Sequence, residues 1–158
     1  MSLTIPIPGR KTLILDGVVC DMNGTLTTDG KLNPEVGKSL TELSQLIKVY
    51  VMTADTFGTA AETFAALPIE LVRMGPESPG ATAKQDFLKR LGSATHAAIG
   101  NGYNDHLMLK EASLGICVIG AEGAHRLSLN AADLVVTNPL AALNLLRQPK
   151  RMIASLRN

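Results

Sequence analysis

Short apolar runs alternate along the chain with longer stretches in which apolar residues recur at helical spacing. The runs have the length and composition of buried strands. Strands are predicted at 18–21, 48–53, 69–73, 96–100, 115–119 and 134–136. Alternating strands and helices form βαβ units, so we predict an α/β protein with a three-layer, doubly wound, mostly parallel sheet. No linker or repeat divides the chain, which predicts one domain over residues 1–158.

Two of the predicted helices carry the same start signal, an asparagine followed by a proline. Asn33-Pro34 supplies an N-cap and a first helical residue, and Asn138-Pro139 repeats the arrangement. A further helix is predicted over 81–91, where a glycine follows as the stop. The opening segment 4–16 is extended around a Pro-Gly turn, and it predicts an antiparallel β-hairpin ahead of the sheet.

Composition narrows the classes of function. Apolar residues make up 46% of the chain and charged residues 18%, which favours a packed core over disorder. The 15 basic and 14 acidic residues nearly cancel, so a nucleic-acid partner held by a broad basic face is excluded. Aromatic residues reach only 3% with no Trp, which argues against stacking platforms for bases or sugars. The low charged share predicts surface hidden in a homo-oligomer, either a dimer or a tetramer.

Cysteine usage and hydropathy bear on location. No apolar run approaches the roughly 18 residues of a membrane span, so no membrane partner is predicted. The two cysteines, Cys20 and Cys117, have no metal-ligand spacing and are interpreted as small buried apolar residues. The protein is therefore predicted to be cytoplasmic.

Residues with catalytic chemistry follow the apolar runs. In a doubly wound sheet the site lies where the carboxyl ends of the strands meet. These segments are Asp21-Met22-Asn23-Gly24-Thr25-Leu26-Thr27 after the first run, Thr53 at the end of the second and Gly100-Asn101-Gly102-Tyr103-Asn104-Asp105 after the fourth. Lys84 is predicted in the first turn of the helix that follows the third run. A carboxylate, a hydroxyl, an ammonium and an amide–carboxylate cluster therefore converge on one edge.

This set of side chains is suited to phosphoryl transfer. Asp21 is a candidate nucleophile that would form an aspartyl phosphate. Mg²⁺ would bridge carboxylate and phosphate, with Asp21 and Asp105 as oxygen ligands. Thr53 would donate a hydrogen bond to a phosphoryl oxygen, and Lys84 would neutralise charge on the transferring group. Gly24 would let backbone amides approach the phosphate closely.

The ordered motifs resemble the haloacid dehalogenase (HAD)-like superfamily, which includes aspartyl-phosphate phosphatases and the phosphorylation domains of P-type ATPases. Residues 21–26 match the first motif, usually Asp-x-Asp-Gly-Thr-Leu, while Thr53 and Lys84 fit the second and third. Residues 100–105 resemble the fourth motif, Gly-Asp-Gly-x-Asn-Asp. Together with Thr53-Ala54-Asp55, this segment makes the likeness strongest to the small soluble P-type ATPase-like group.

The resemblance implies further features of fold and site. The sheet would have the strand order 5-4-1-2-3, which puts one strand between Cys20 and Cys117. The two would then lie roughly 10 Å apart, too far for a disulfide. The resemblance also implies that Asn101 and the backbone carbonyl of Asn23 complete the Mg²⁺ site, and that Asn104 binds phosphate.

The gaps between the motifs are too short for the cap domains that close many sites of this superfamily. Residues 27–53 hold only a flap-sized turn and one helix, and 53–84 hold one helix and one strand. We therefore predict a capless protein with an open site. Its ligand would be a phosphorylated small molecule or a phosphorylated macromolecule, and a neighbouring subunit would partly cover the strand ends.

Two departures from the motifs leave alternatives open. Asn23 replaces the aspartate that acts as general acid and base in family phosphatases, and Asn101 removes a carboxylate from the metal site. One hypothesis is a slow Mg²⁺-dependent phosphatase or phosphotransferase. The alternative is a catalytically impaired regulator that binds a phosphorylated ligand or partner. A receiver domain is disfavoured, because receivers are phosphorylated on the third strand rather than the first.

Overall fold

Strands and helices alternate along the chain in the computed structural model, which describes residues 1–54, 58–77 and 80–158. The strands are β1 (Leu3–Ile5), β2 (Leu13–Leu15), β3 (Gly17–Asp21), β4 (Thr27–Thr28), β5 (Lys31–Leu32), β6 (Lys48–Thr53), β7 (Glu70–Arg73), β8 (His96–Gly100), β9 (Leu114–Val118) and β10 (Leu134–Val136). The helices are α1 (Pro34–Ser44), α2 (Thr59–Phe64), α3 (Gly80–Leu91), α4 (His106–Glu111), α5 (Arg126–Ala131), α6 (Pro139–Arg147) and α7 (Lys150–Leu156), with 3₁₀ turns at Ser93–Thr95 and Tyr103–Asp105.

Six parallel strands form the central sheet in the order β10-β9-β8-β3-β6-β7. The predicted order of the first five strands is confirmed, and β10 extends the sheet beyond β9. Strand β3 lies between β6 and β8, and every one of its residues is buried. Because all six strands run the same way, their carboxyl ends meet at one edge of the sheet.

Helices cover both faces of the sheet, as predicted for a doubly wound fold. Alternate side chains of β3 point to opposite faces, so Val18 and Cys20 pack with α1, α2, α6 and α7. Val19 packs on the other face with α3, α4 and α5. Within the described ranges, no helix is long and apolar enough to cross a membrane.

Two small antiparallel hairpins stand outside the sheet. The predicted N-terminal hairpin is confirmed, because β1 pairs with β2 and buries Ile5 and Leu15 in the core. The second hairpin joins β4 to β5 through Asp29 and Gly30, whose φ angles are 51° and 74°. Both central residues of a type I′ turn need positive φ, which explains the Asp-Gly pair.

The segments between the motifs are short in the structure as well. From β4 to β6 the chain forms only the small hairpin and α1. Between β6 and α3 the described residues form only α2 and β7. No described residue of either segment belongs to a separate layer above the strand ends, so this edge is bordered by loops and the small hairpin.

Both Asn-Pro helix starts have the predicted geometry. The Asn33 side chain accepts a hydrogen bond from the backbone N–H of Glu35 at 2.8 Å. Asn138 accepts one from Ala141 at the same distance. Each cap satisfies a backbone donor that the first helical turn leaves unpaired.

The two cysteines are free and buried, and β8 separates their strands. The prediction that they form no disulfide is confirmed. Burial raises the pKa of the Cys20 thiol, and it raises the pKa of Cys117 to about 11. Both residues are therefore protonated at neutral pH and pack as small apolar side chains.

Candidate active site

The motif residues meet at the carboxyl edge of the sheet. Asp21 is the last residue of β3, and Thr53 is the last residue of β6. Asn101 and Asp105 follow β8, and Lys84 comes from α3 after β7. The structure thus brings together residues that are up to 84 positions apart in the sequence, between Asp21 and Asp105.

Lys84 joins two carboxylates at the centre of the site. Its Nζ donates to Asp21 Oδ1 at 2.5 Å and to Asp105 Oδ1 at 2.6 Å. Lys84 and Asp105 are fully buried, and the Asp21 residue is 7% exposed. Two carboxylates and one ammonium leave a formal charge of −1, which favours binding of a cation because buried excess charge is costly.

Lys84 lies slightly deeper in its helix than predicted. Helix α3 begins at Gly80, so Lys84 occupies the second turn rather than the first. Its side chain nevertheless reaches the strand edge, because α3 begins near the loop that follows β8. A Cβ placed at Gly80 would lie 3.2 Å from Asn104 Cβ in that loop.

The electrostatics of the cluster fix its charge states. Burial and the charge of Asp105 raise the pKa of Asp21 to about 6, although Lys84 and Thr25 act in the opposite direction. Burial alone would lower the pKa of Lys84, but Asp21 and Asp105 together raise it above the ordinary value. At neutral pH Asp21 is therefore largely ionised, as a nucleophile must be, and Lys84 remains protonated.

Asp105 is held on every side. Its Oδ2 accepts hydrogen bonds from the backbone N–H groups of Asn101 at 3.0 Å and Gly102 at 2.9 Å. Gly100 makes room for it, since a Cβ there would lie 2.6 Å from Asp105 Cβ and Cγ. Asp105 thus fixes both Lys84 and the loop after β8, and its predicted role as a Mg²⁺ ligand remains a prediction.

Thr25 connects Asp21 to the fourth motif. Its Oγ1 lies 3.0 Å from Asp21 Oδ2 and 2.9 Å from Asn101 Oδ1, and its single hydrogen can be donated to one of them at a time. Asn101 Nδ2 donates to the carbonyl of Gly123 at 3.1 Å. That bond fixes the amide orientation and turns Asn101 Oδ1 toward Thr25.

The donor atoms fit a hard divalent cation. Asp21 Oδ2 and Asn101 Oδ1 lie on either side of one hydroxyl, and both are oxygen atoms of the kind that Mg²⁺ prefers. Among the described residues, no group of three or more His, Cys, Asp or Glu side chains could by itself hold a metal ion. Mg²⁺ commonly takes few protein ligands and retains waters, so this smaller oxygen set suits it.

Other predicted residues border the site. Asn23 and Asn104 are exposed, and neither side chain has a hydrogen-bond or ion-pair partner within the described part of the chain. Gly24 has a φ of 74°, and a Cβ there would lie 2.6 Å from Asn101 Nδ2, so only glycine suits this position. Thr53 is buried, whereas Asp55 lies outside the described residues.

Sequence reasoning assigned no role to three residues that shape the site. Thr25 belongs to the first motif, so its position beside Asp21 was a usable signal. Gly100 is the first residue of the fourth motif, but its closeness to Asp105 depends on the path of the loop. Ser128 in α5 donates to the carbonyl of Gly102 at 2.5 Å and is buried, and an isolated helical serine gives no signal in the sequence.

Comparison with solved structures defines the class of fold. The chain aligns with 3-deoxy-D-manno-octulosonate 8-phosphate phosphatase from Moraxella catarrhalis at a TM-score of 0.70 and 18% identity, over 90% of this chain and 94% of that one. It aligns with the cobalt-bound form of the Haemophilus influenzae enzyme at a TM-score of 0.66 and 21% identity, over 90% of this chain and 89% of that one. With a HAD phosphatase from Bacteroides thetaiotaomicron the TM-score is 0.56 and the identity 12%, over 87% of this chain and 94% of that one. The chain has the fold of the haloacid dehalogenase superfamily.

Sequence comparison gives relatives from one archaeon, Methanocaldococcus jannaschii. The uncharacterized protein MJ0073 is 51% identical over 61 residues, which are 39% of this chain and 66% of that protein, just under two thirds of its length. The uncharacterized protein MJ0072 is 41% identical over 39 residues, 25% of this chain and 89% of that protein. The chain belongs to the same family as MJ0072. No family model matches it.

Proposed function

We propose that this protein is a Mg²⁺-dependent phosphatase or phosphotransferase that works through an aspartyl phosphate on Asp21. The observation that carries the proposal is the Asp21 carboxylate itself. It ends the central strand, has a partly exposed side chain and is hydrogen-bonded to Lys84. Neighbours of the same fold include a phosphatase in complex with magnesium and phosphate ions, which supports this chemistry for the present site.

In the first step an Asp21 oxygen attacks the phosphorus of a phosphate monoester. The bond from phosphorus to the leaving oxygen breaks, and that oxygen takes a proton from water. Lys84 Nζ has three hydrogens, of which two are donated to Asp21 and Asp105, and in this proposal the third is donated to a phosphoryl oxygen. Thr53 donates to a second phosphoryl oxygen from the end of β6.

In the second step water attacks the phosphorus of the acyl phosphate. Inorganic phosphate leaves, a proton of the attacking water passes to the solvent and balances the one taken from water in the first step, and the Asp21 carboxylate is restored. The residues that would hold Mg²⁺ are Asp21, Asp105, Asn101 and the backbone carbonyl of Asn23, and the bound cation supplies positive charge against carboxylate and phosphate. Asn23 cannot exchange a proton at neutral pH, so both steps lack a general acid–base group and turnover is slow.

The range of substrates follows from the open edge. The short segments around β4–β5 and α2 leave the strand ends accessible, which suits a phosphorylated macromolecule as well as a phosphorylated small molecule. We also propose that the protein is most similar to soluble P-type ATPase-like proteins and that it is cytoplasmic. Both proposals rest on the sequence alone.

The direct test is hydrolysis of p-nitrophenyl phosphate with Mg²⁺ and with excess EDTA. We expect slow, Mg²⁺-dependent release of nitrophenol that Asp21→Asn abolishes, because an amide of the same shape is a poor nucleophile. Beryllofluoride, an acyl-phosphate mimic, should give a bound ¹⁹F signal with the parent and none with the variant. Full activity in Asp21→Asn would refute the proposed mechanism.

A second candidate function is binding of a phosphorylated ligand without turnover. It is favoured by the amides at Asn23 and Asn101, where the motifs usually carry carboxylates. In that case phosphate and Mg²⁺ would bind together by calorimetry, while the hydrolysis assay would show no release above background.

A further inference from the structure

A carboxylate from outside the four motifs lies beside the site. Glu122 belongs to the loop 119–125, which connects β9 to α5. A Cβ built at Gly24 would lie 3.3 Å from Glu122 Oε2 and 2.6 Å from Asn101 Nδ2. The side chains of Glu122 and Asn101 therefore both border the space that the missing side chain of Gly24 leaves open.

Hydrogen bonds fix loop 119–125 to the fourth motif. The carbonyl of Gly123 accepts from Asn101 Nδ2 at 3.1 Å, and the N–H of His125 donates to the Asn101 carbonyl at 2.8 Å. The loop is closed on itself by a bond from the Gly123 N–H to the Gly120 carbonyl at 3.0 Å. The loop is thus attached to both the side chain and the main chain of Asn101.

The charge on Glu122 is uncompensated. Its side chain has no hydrogen-bond or ion-pair partner among the described residues, although it is adjacent to a buried polar site. Asn101 carries an amide at the position where the fourth motif usually has an acid. The site has therefore lost a negative charge at residue 101, while another negative charge stands next to residue 101 on the attached loop.

We propose that Glu122 supplies the carboxylate that position 101 lacks and strengthens the binding of a divalent cation at Asp21 and Asn101. The inference rests on the proposed function, since it concerns the same cation. Glu122 acts as a positioning residue, because its negative charge attracts the ion toward oxygen ligands that are otherwise short of charge. A nearby carboxylate attracts a divalent ion even through solvent and without a bond to any of its ligands, and the attraction falls as salt is added.

The test is the affinity of the full chain for Mg²⁺ by titration calorimetry, repeated with Mn²⁺ by electron paramagnetic resonance. At low ionic strength we expect Glu122→Gln to weaken binding about 10-fold, because the exposed carboxylate acts on the ion through solvent. The matched control is Glu70→Gln, which removes the same charge at the start of β7, at the opposite edge of the sheet. It should leave the affinity unchanged.

A rescue experiment separates charge supply from loop packing. Adding Asn101→Asp to Glu122→Gln returns a carboxylate to the site from the neighbouring position, and we expect it to restore most of the lost affinity. A merely structural effect of Glu122→Gln would leave the gain from Asn101→Asp the same in the parent and in Glu122→Gln, whereas charge supply by Glu122 predicts a larger gain in Glu122→Gln.

The outcomes distinguish this inference from the proposed function. Equal Mg²⁺ affinity in the parent and in Glu122→Gln would overturn the role of Glu122 and leave the phosphatase proposal intact. Equal losses in the Glu122 and Glu70 variants would indicate an effect of net charge and would also overturn it. A parent chain that binds neither cation, and hydrolyses no ester with Mg²⁺, would overturn both.

Discussion

The centre of the site buries two carboxylates, Asp21 and Asp105, but only one ammonium group, that of Lys84. One negative charge therefore stays without a compensating positive charge. Such an arrangement opposes folding when no cation is bound, because a buried carboxylate is better solvated by water than by protein. In the proposed mechanism, the same imbalance prepares Asp21 to bind a cation and to act as the nucleophile. At the scale of single residues, the site therefore exchanges some stability for chemistry.

Asp21→Asn is expected to stabilise the protein in EDTA. The pKa of Asp21 in the folded protein is about 6, above the unfolded value of about 3.9. Stabilisation from the protonated carboxyl is present below about pH 4 and is lost as the pH rises through 6. Asparagine does not ionise, so the variant does not lose this stabilisation. Its free energy of unfolding relative to that of the parent should therefore rise by about 1–3 kcal/mol from pH 4 to pH 8. Urea unfolding of both proteins at pH 4 and pH 8 measures this difference. An Asp21→Asn variant that is less stable than the parent at pH 8 would contradict the prediction.

Asn23→Asp is expected to accelerate ester hydrolysis. A carboxyl group there can protonate the leaving oxygen and later activate water, a contribution that typically reaches 10²- to 10⁴-fold. We expect the rate of hydrolysis to rise about 10-fold or more at saturating Mg²⁺. This is less than the full contribution, because residue 23 is exposed and its carboxyl group would be less precisely placed. Asn23-Gly24 and Asn101-Gly102 are both prone to deamidation, so intact mass must accompany each rate. The double variant with Asp21→Asn is the control, and an unchanged rate in Asn23→Asp would favour the regulator.

At the scale of elements, the end of β8 shows how strand and loop determine the site together. The strand stops at Gly100, and the chain turns so that Asp105 returns against the strand end. The sequence predicted this strand with its observed bounds and also predicted β6 and β10. It did not predict which residues the returning loop would contact, because that depends on packing against α3 and α5.

Gly100→Ala is expected to displace Asp105. The new Cβ would lie 2.6 Å from two carbon atoms of the Asp105 side chain, which Lys84 and two backbone bonds hold in place. Overpacking of this kind costs about 1–3 kcal/mol, so we expect that loss together with weaker Mg²⁺ binding. Gly75→Ala is the control, because nothing lies within 4 Å of a Cβ there. Equal unfolding free energies for Gly100→Ala and Gly75→Ala would contradict the predicted clash with Asp105.

At the scale of the whole molecule, the open strand edge and the low charged share lead us to propose a dimer or tetramer. Strand β10 ends the sheet, and Val135 on it is 48% exposed, while Ile119 at the adjacent strand end is 42% exposed. Burial of such side chains against another subunit favours association through the hydrophobic effect. We expect light scattering at micromolar concentration to give a dimeric or tetrameric mass, and Val135→Lys to lower it. A monomeric parent would contradict the proposal.

The sequence by itself determined the order of strands and helices and the placement of each motif at a strand end. Hydrophobic periodicity and Asn-Pro caps are local signals, so the six strands of the central sheet, α1 and α6 could be predicted without knowledge of any distant contact. The strand order 5-4-1-2-3 came from the resemblance carried by residues 21–26 and 100–105, and the sheet confirmed it.

Only the tertiary structure decided which atoms meet. Lys84 lies 63 residues from Asp21 and 21 from Asp105, and its bonds to both depend on where α3 packs across the sheet. Thr25 reaches Asn101 across 76 residues, and Glu122 reaches Gly24 from a loop without a motif. Such contacts depend on helix position and loop path to within about an ångström. Local sequence patterns specify an element's type and approximate bounds but not its position to that precision.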